Sequence, residues 1–110
     1  MNKLSLDAVA REQLARASSG SSGRSAETVY GGHERGLRQT LIALTAGTTM
    51  AEHESPGEAT LVVLVGRVRL SSGEVNWEGR QGDLIAIPPT RHSLEALEDC
   101  AFLLTVAKAR

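Results

Sequence analysis

Residues 47–66, GTTMAEHESPGEATLVVLVG, and residues 82–92, GDLIAIPPTRH, decide how the rest of the chain is read. In the first stretch, Thr60 to Val65 is a continuous apolar strand closed by Gly66. In the second, Leu84 to Ile87 is a buried strand stopped by Pro88 and Pro89, whose missing amide donors end the ladder. Between the two lie Val68 to Leu70, the turn SSGE, Val75 to Trp77, and a turn bracketed by Gly79 and Gly82. Downstream, Leu94 to Leu97 and Ala101 to Ala107 are apolar again. Upstream, Ala26 to Tyr30 and Leu37 to Thr45 flank the turn-rich loop GGHERG, and Gly47 ends the second run. Many short strands punctuated by Gly and Pro imply an all-β sandwich or barrel. No helical pattern separates the strands, which argues against a parallel βαβ sheet. No repeat of the length used by solenoids or propellers is present.

The N-terminal segment differs. Residues 6–17 read as a short helix, with Ser5 as N-cap and Leu4 placed to staple onto Val9. Leu6, Val9, Ala10, Leu14 and Ala17 form one apolar stripe at helical spacing. A single helix this short is marginal in water, so it must pack on the domain or on a second subunit. Ser18 to Gly23, SSGSSG, reads as a flexible connector. The expected organisation is a helix and connector over residues 1–24 and a β-barrel over 25–110.

Composition bounds the function. A chain of 110 residues holds one core. A net charge of -1 and an aromatic content of 3% give no electrostatic or stacking basis for nucleic-acid binding. No apolar run approaches a membrane span or the core of a signal peptide. Cys100 is the single cysteine and cannot form an internal disulfide. These features together fit a reducing, cytoplasmic setting.

The two quoted stretches resemble the paired motifs of the cupin family. The first family motif runs Gly, five residues, His-x-His, three or four residues, Glu, six residues, Gly; Gly47, His53 and Gly66 stand in that register. The second runs Gly, five residues, Pro-x-Gly, two residues, His; Gly82, Pro88 and His92 follow it. The resemblance covers about residues 37–107 and implies a jelly-roll β-barrel. This chain departs from the pattern at several places. Ser55 replaces the second His, Ala59 stands at the Glu position with Glu58 one residue early, Thr90 replaces the Gly, and the loop before His92 is one residue short. Cupins that keep all four ligands hold iron, manganese, nickel, copper or zinc, so the resemblance implies one such divalent metal or none. It also implies a homodimer, since small cupins commonly pair and an open sheet edge needs cover.

On a strand, residues i and i+2 share a face, so His53 and Ser55 are expected to point together into the barrel, with Glu52 and Glu54 solvated. His92 shares its face with Leu94 and Ala96. The expected pocket is therefore His53, Ser55 and His92, and the candidate metal set is His53, His92 and Glu58. Neutral imidazole suits zinc, copper, iron and nickel. His33, in the GGHERG turn, is either solvated or folds over the mouth as a further ligand. Arg67 and Arg69 share a face that reads as solvated, and Trp77 and Cys100 read as core. His92 and Ser93 are adjacent on a strand and point apart, which argues against a Ser-His nucleophile. Two functions remain open: a small cupin binding an organic ligand, with or without a divalent metal and enzymatic chemistry, or a metal-free cupin acting as a sensor or interaction protein.

Overall fold

A computed structural model of the chain describes residues 3–55 and 57–108. Helix α1 (Leu6–Ser19) precedes nine strands: β1 (Arg24–Gly31), β2 (Leu37–Leu44), β3 (Thr49–His53), β4 (Glu58–Val65), β5 (Arg67–Ser72), β6 (Val75–Arg80), β7 (Leu84–Ala86), β8 (His92–Ala96) and β9 (Cys100–Ala107). They form two sheets, β1-β2-β9-β4-β7 and β3-β8-β5-β6. All strand pairs are antiparallel. Two such sheets packed face to face make the expected all-β barrel with its N-terminal helix. Among the described residues no helix is long and apolar enough to cross a membrane.

Alternation builds the core. On β4, Ala59, Leu61 and Val63 turn inward while the residues between them face out. Val68 and Leu70 on β5, Leu94 and Ala96 on β8, and Phe102 on β9 join the inner layer with Ile42, Leu44, Ile85 and Cys100. Phe102 is 1% exposed and is the largest fully buried side chain. The Pro88–Pro89 stop works as expected. The Ile87 amide still donates to the Ala59 carbonyl at 2.9 Å, and the next residue has no N–H to continue.

Helix α1 packs on the outer face of the five-stranded sheet, mainly over β1 and β2. Ser5 caps it, its hydroxyl accepting from the Ala8 amide at 3.2 Å. Ala10 and Ala17 pack on Leu41, Ala43 and Ala101, small residues that allow the helix to sit close to the sheet. Gln13, 2% exposed, is satisfied on both sides of its amide: it donates to Glu27 and accepts from the Ser25 hydroxyl. The helix runs two residues past the expected end, taking in Ser18 and Ser19, so only Gly20 to Gly23 link it to β1.

Three further expectations change. The strand before Pro88 is not buried: β7 is the edge of its sheet, Leu84 is 62% exposed and only Ile85 turns into the core. Gly79 is not a turn residue. It lies inside β6 and is buried, and a Cβ there would meet the Ile85 Cδ1 at 2.9 Å, so the missing side chain makes room for Ile85. Trp77 is not core. It sits on β6, the edge strand of its sheet, and is 40% exposed.

Candidate functional site

The site is set by the pairing of β3 with β8. Thr49 pairs with Glu95, Met50 with Leu94, and His53 with His92. Three steps along β3 match two along β8, so β3 carries one extra residue, a β-bulge. The bulge puts Met50 and His53 on one face, although regular alternation would separate residues three apart. Both line the barrel cavity with His92, Leu94, Ile42, Leu61, Leu70, Ile87, Phe102 and Leu104. The cavity volume is about 40 Å³, room for a group of a few atoms.

The two imidazoles meet edge to face, with ring centroids 4.6 Å apart and planes at 68°. His92 is buried and His53 is exposed, so the pair marks the boundary between cavity and solvent. Each ring is held the same way. The His53 Nδ1 lies 2.9 Å from the Ala51 carbonyl oxygen, and the His92 Nδ1 lies 2.8 Å from the Thr90 carbonyl oxygen. A carbonyl oxygen only accepts, so each Nδ1 carries the proton and donates it. In the neutral ring the lone pair is then on Nε2 in both histidines. Backbone anchoring of one ring nitrogen is how proteins orient a ligating imidazole.

Ser55 does not join this pair. β3 ends at His53, so the two-residue alternation no longer governs Ser55. Its hydroxyl instead donates to the Gly57 carbonyl at 2.9 Å, and it lines a separate surface groove with Glu58, Thr60 and Ile87. Glu58 also stays outside. On β4 the inward positions are Ala59, Leu61 and Val63, so the one-residue offset places Glu58 on the exposed face, and the positive φ of Gly57 does not reverse this. Ala59 occupies the inward position and has no donor atom. Among the described residues no three His, Cys, Asp or Glu side chains stand together in a way that could hold a metal ion. His53 and His92 are therefore brought together, and Glu58 is not brought to them. His33 lies in the exposed turn after β1 and lines a small surface hollow formed by residues 31–35.

The surrounding charges are surface features. Glu52 and Glu54 are exposed and pair with Arg91 at 3.2 and 3.8 Å. Arg67 and Arg69 bracket Glu78 at 2.7 and 3.4 Å and reach Glu98 and Glu95 at 3.6 Å each, a solvated ladder on the outer face of the four-stranded sheet. Hydrogen bonds from Arg67 and Arg69 hold the Glu78 carboxyl below its ordinary range. Cys100 is fully buried, and desolvation pushes its thiol up to about 11. Met50 was missed as a site residue because the bulge that turns it toward the histidines leaves no mark in the pattern of residue types.

With two sheets, a helix on one face and a histidine pair at the mouth, the chain is a small cupin-fold domain. Solved structures share this fold. A conserved protein of unknown function from Streptococcus pyogenes is 25% identical with a TM-score of 0.73, covering 83% of this chain and 79% of that one. A cupin superfamily protein from Desulfitobacterium hafniense is 13% identical with a TM-score of 0.71, covering 78% of each. An HTH_3-family transcriptional regulator from Vibrio cholerae is 22% identical with a TM-score of 0.68, covering 80% of this chain and 52% of that one. No protein-family model and no curated protein matches the sequence.

Proposed function

We propose that this chain is a binding module whose ligand is held by His53 and His92 at the mouth of the barrel cavity. The observation that carries the reading is the shared anchoring of the two rings, which leaves both Nε2 lone pairs as the unengaged polar atoms of an otherwise apolar site. Such a pair can ligate a metal ion or accept hydrogen bonds from a small donor group. A divalent transition metal normally takes three or four protein ligands. Two imidazoles alone would leave such an ion to complete its shell with water, an arrangement suited to a weak, exchangeable site. Ligand binding without catalysis is therefore the better-supported role, and the module acts in the cytoplasm as a homodimer.

A sensor role is the specific form favoured by one comparison. The matching Vibrio cholerae protein is a transcriptional regulator, and this chain spans about half of it. A cupin-fold domain can thus sit within a regulatory protein. Elemental analysis of protein purified without added metal, followed by titration calorimetry with Zn(II), Fe(II) and Mn(II), tests the binding reading. Weak, readily reversed binding of these divalent ions is expected. A tightly held stoichiometric divalent metal, with turnover of a small substrate, would overturn the non-catalytic reading.

A further inference from the structure

Among the described strand residues, Arg38 is the one charged side chain on the inner faces at the histidine end of the barrel. Its neighbour Gln39 lines an outer groove with Leu6 of helix α1, so strand parity turns Arg38 inward. The register agrees. Arg38 is opposite Val106, and Val106 is opposite the inward Ala59. The next inward row is Thr40, Leu104 and Leu61, and the last two are walls of the cavity. Arg38 therefore stands one row, about 7 Å of strand rise, beyond that wall. In the opposite direction the rows lead through Phe102 to the fully buried Cys100, so Arg38 is on the mouth side. It is half-buried, which fits a stem laid along the apolar rim with the guanidinium toward water.

The charge at this end has one sign. Ala59, on the row of Arg38, carries no carboxylate, and Glu58 faces out. Glu52 and Glu54 are exposed and pair with Arg91. Among the described residues no carboxylate pairs with Arg38. Lys108, just past β9, is half-buried too, and its ammonium donates to the Gly32 carbonyl, which holds a second cation at the same end. A half-buried guanidinium without a counter-ion is a receptor for an anion, and a carboxylate matches its planar fork through two parallel hydrogen bonds. Deeper in, the character of the site changes. The two Nε2 acceptors come next, then an apolar cavity of about 40 Å³. These zones suit a carboxylate, a hydroxyl donor and a short alkyl tail in turn. Resting on the reading of His53 and His92 as the binding pair, we propose that the ligand is a short hydroxy acid whose carboxylate is held directly by Arg38. Its hydroxyl donates to an Nε2 of the pair and its alkyl end enters the cavity. Binding is non-covalent.

The test is an NMR titration of the ¹⁵N-labelled full chain with 2- and 3-hydroxybutyrate and with their neutral amides, following the side-chain signals of His53, His92 and Arg38. At least one acid is expected to shift all three, with its amide bound about tenfold or more weakly. Arg38→Gln should bring the acid down to the affinity of its amide. Arg38→Lys, which keeps the charge but not the fork, should recover part of the difference. Arg67→Gln, on the outer face, should change nothing. Circular dichroism of each variant separates lost binding from lost folding. Equal affinities for acid and amide, or unchanged acid affinity in a folded Arg38→Gln variant, would overturn the role of Arg38, and ring shifts in the same spectra would leave the histidine pair standing. Silence of both rings and of Arg38 toward all of these compounds would overturn both readings.

Discussion

Gly47 and Gly66 occupy corresponding ends of the first motif, yet they should respond very differently to the same substitution. Both have positive φ, +88° for Gly47 and +78° for Gly66. An alanine in that region costs about 1–2 kcal/mol from the clash of its Cβ with the backbone. At Gly47 nothing else lies within 4 Å of the added Cβ, so the cost should stop there. At Gly66 the Cβ would stand 2.1 Å from the Asp99 carbonyl oxygen and 3.0 Å from its carbon. That wall is backbone and cannot rotate aside, so relief requires moving the chain that leads into β9. Overpacking of this kind costs about 1–3 kcal/mol more. Gly66→Ala should thus lose about 3–4 kcal/mol and Gly47→Ala about 1 kcal/mol. In equilibrium urea denaturation the slope is about 1–3 kcal/mol per molar, so the two midpoints should differ by roughly 1 M. Coincident midpoints, or a larger loss for Gly47→Ala, would refute the close approach of Gly66 to Asp99.

Replacing Pro88 and Pro89 together by Ala should lower stability by about 1 kcal/mol through added freedom of the unfolded chain, read as a lower urea midpoint. Phe102→Ala should cost about 3–5 kcal/mol in the same assay, because it empties the largest fully buried position. The Cys100 thiol should resist iodoacetamide at neutral pH in the folded protein and react at the rate of unfolding, which mass spectrometry follows. Since its folded pKa of about 11 lies above the ordinary 9.0, its contribution to stability is whole below about pH 9 and is lost as pH rises toward 11. Thermal unfolding across that window should show a falling midpoint that is absent in Cys100→Ala. Val62 pairs with both Leu84 and Leu103 in register, an outward apolar row on the five-stranded sheet, and Leu84 is 62% exposed. Light scattering should give a dimer mass, and Leu84→Glu should give a folded monomer if that row is the contact.

The strands β4 and β9 were legible as apolar runs set off by turn residues, and burial alternates residue by residue on β4 and β8. The Pro-Pro stop after Ile87 was legible because a missing N–H has one structural meaning at the end of a ladder. The glycine spacings that gave the family resemblance correspond to positive-φ positions at Gly47, Gly66 and Gly82. The site was legible only in part. His53 and His92 were found from their spacing to glycine and from their place on strands. The bulge in β3 was invisible, because an extra residue changes which side chains share a face without changing their types. It brought in Met50, and the end of β3 at His53 removed Ser55. Glu58 failed for the opposite reason: strand parity is strict on β4, and a carboxylate one residue early faces solvent however close it lies in sequence. Gly79 was misread because a strand glycine that admits a neighbouring Ile85 has the same local signature as a turn glycine. Trp77 was misread because hydrophobicity does not reveal that its strand lies at a sheet edge.

The central claim is that His53 and His92 form one site through Nε2, with each Nδ1–H fixed on a backbone carbonyl. A long-range ¹H–¹⁵N spectrum of the imidazole rings tests it most directly, since the chain has three histidines and each gives a separate pattern. In the neutral state His53 and His92 should both appear as Nδ1–H tautomers, and their Nε2 signals should shift together when Zn(II) is added, while His33 stays unmoved. Nε2–H tautomers at His53 and His92, with no response to Zn(II), would contradict the account.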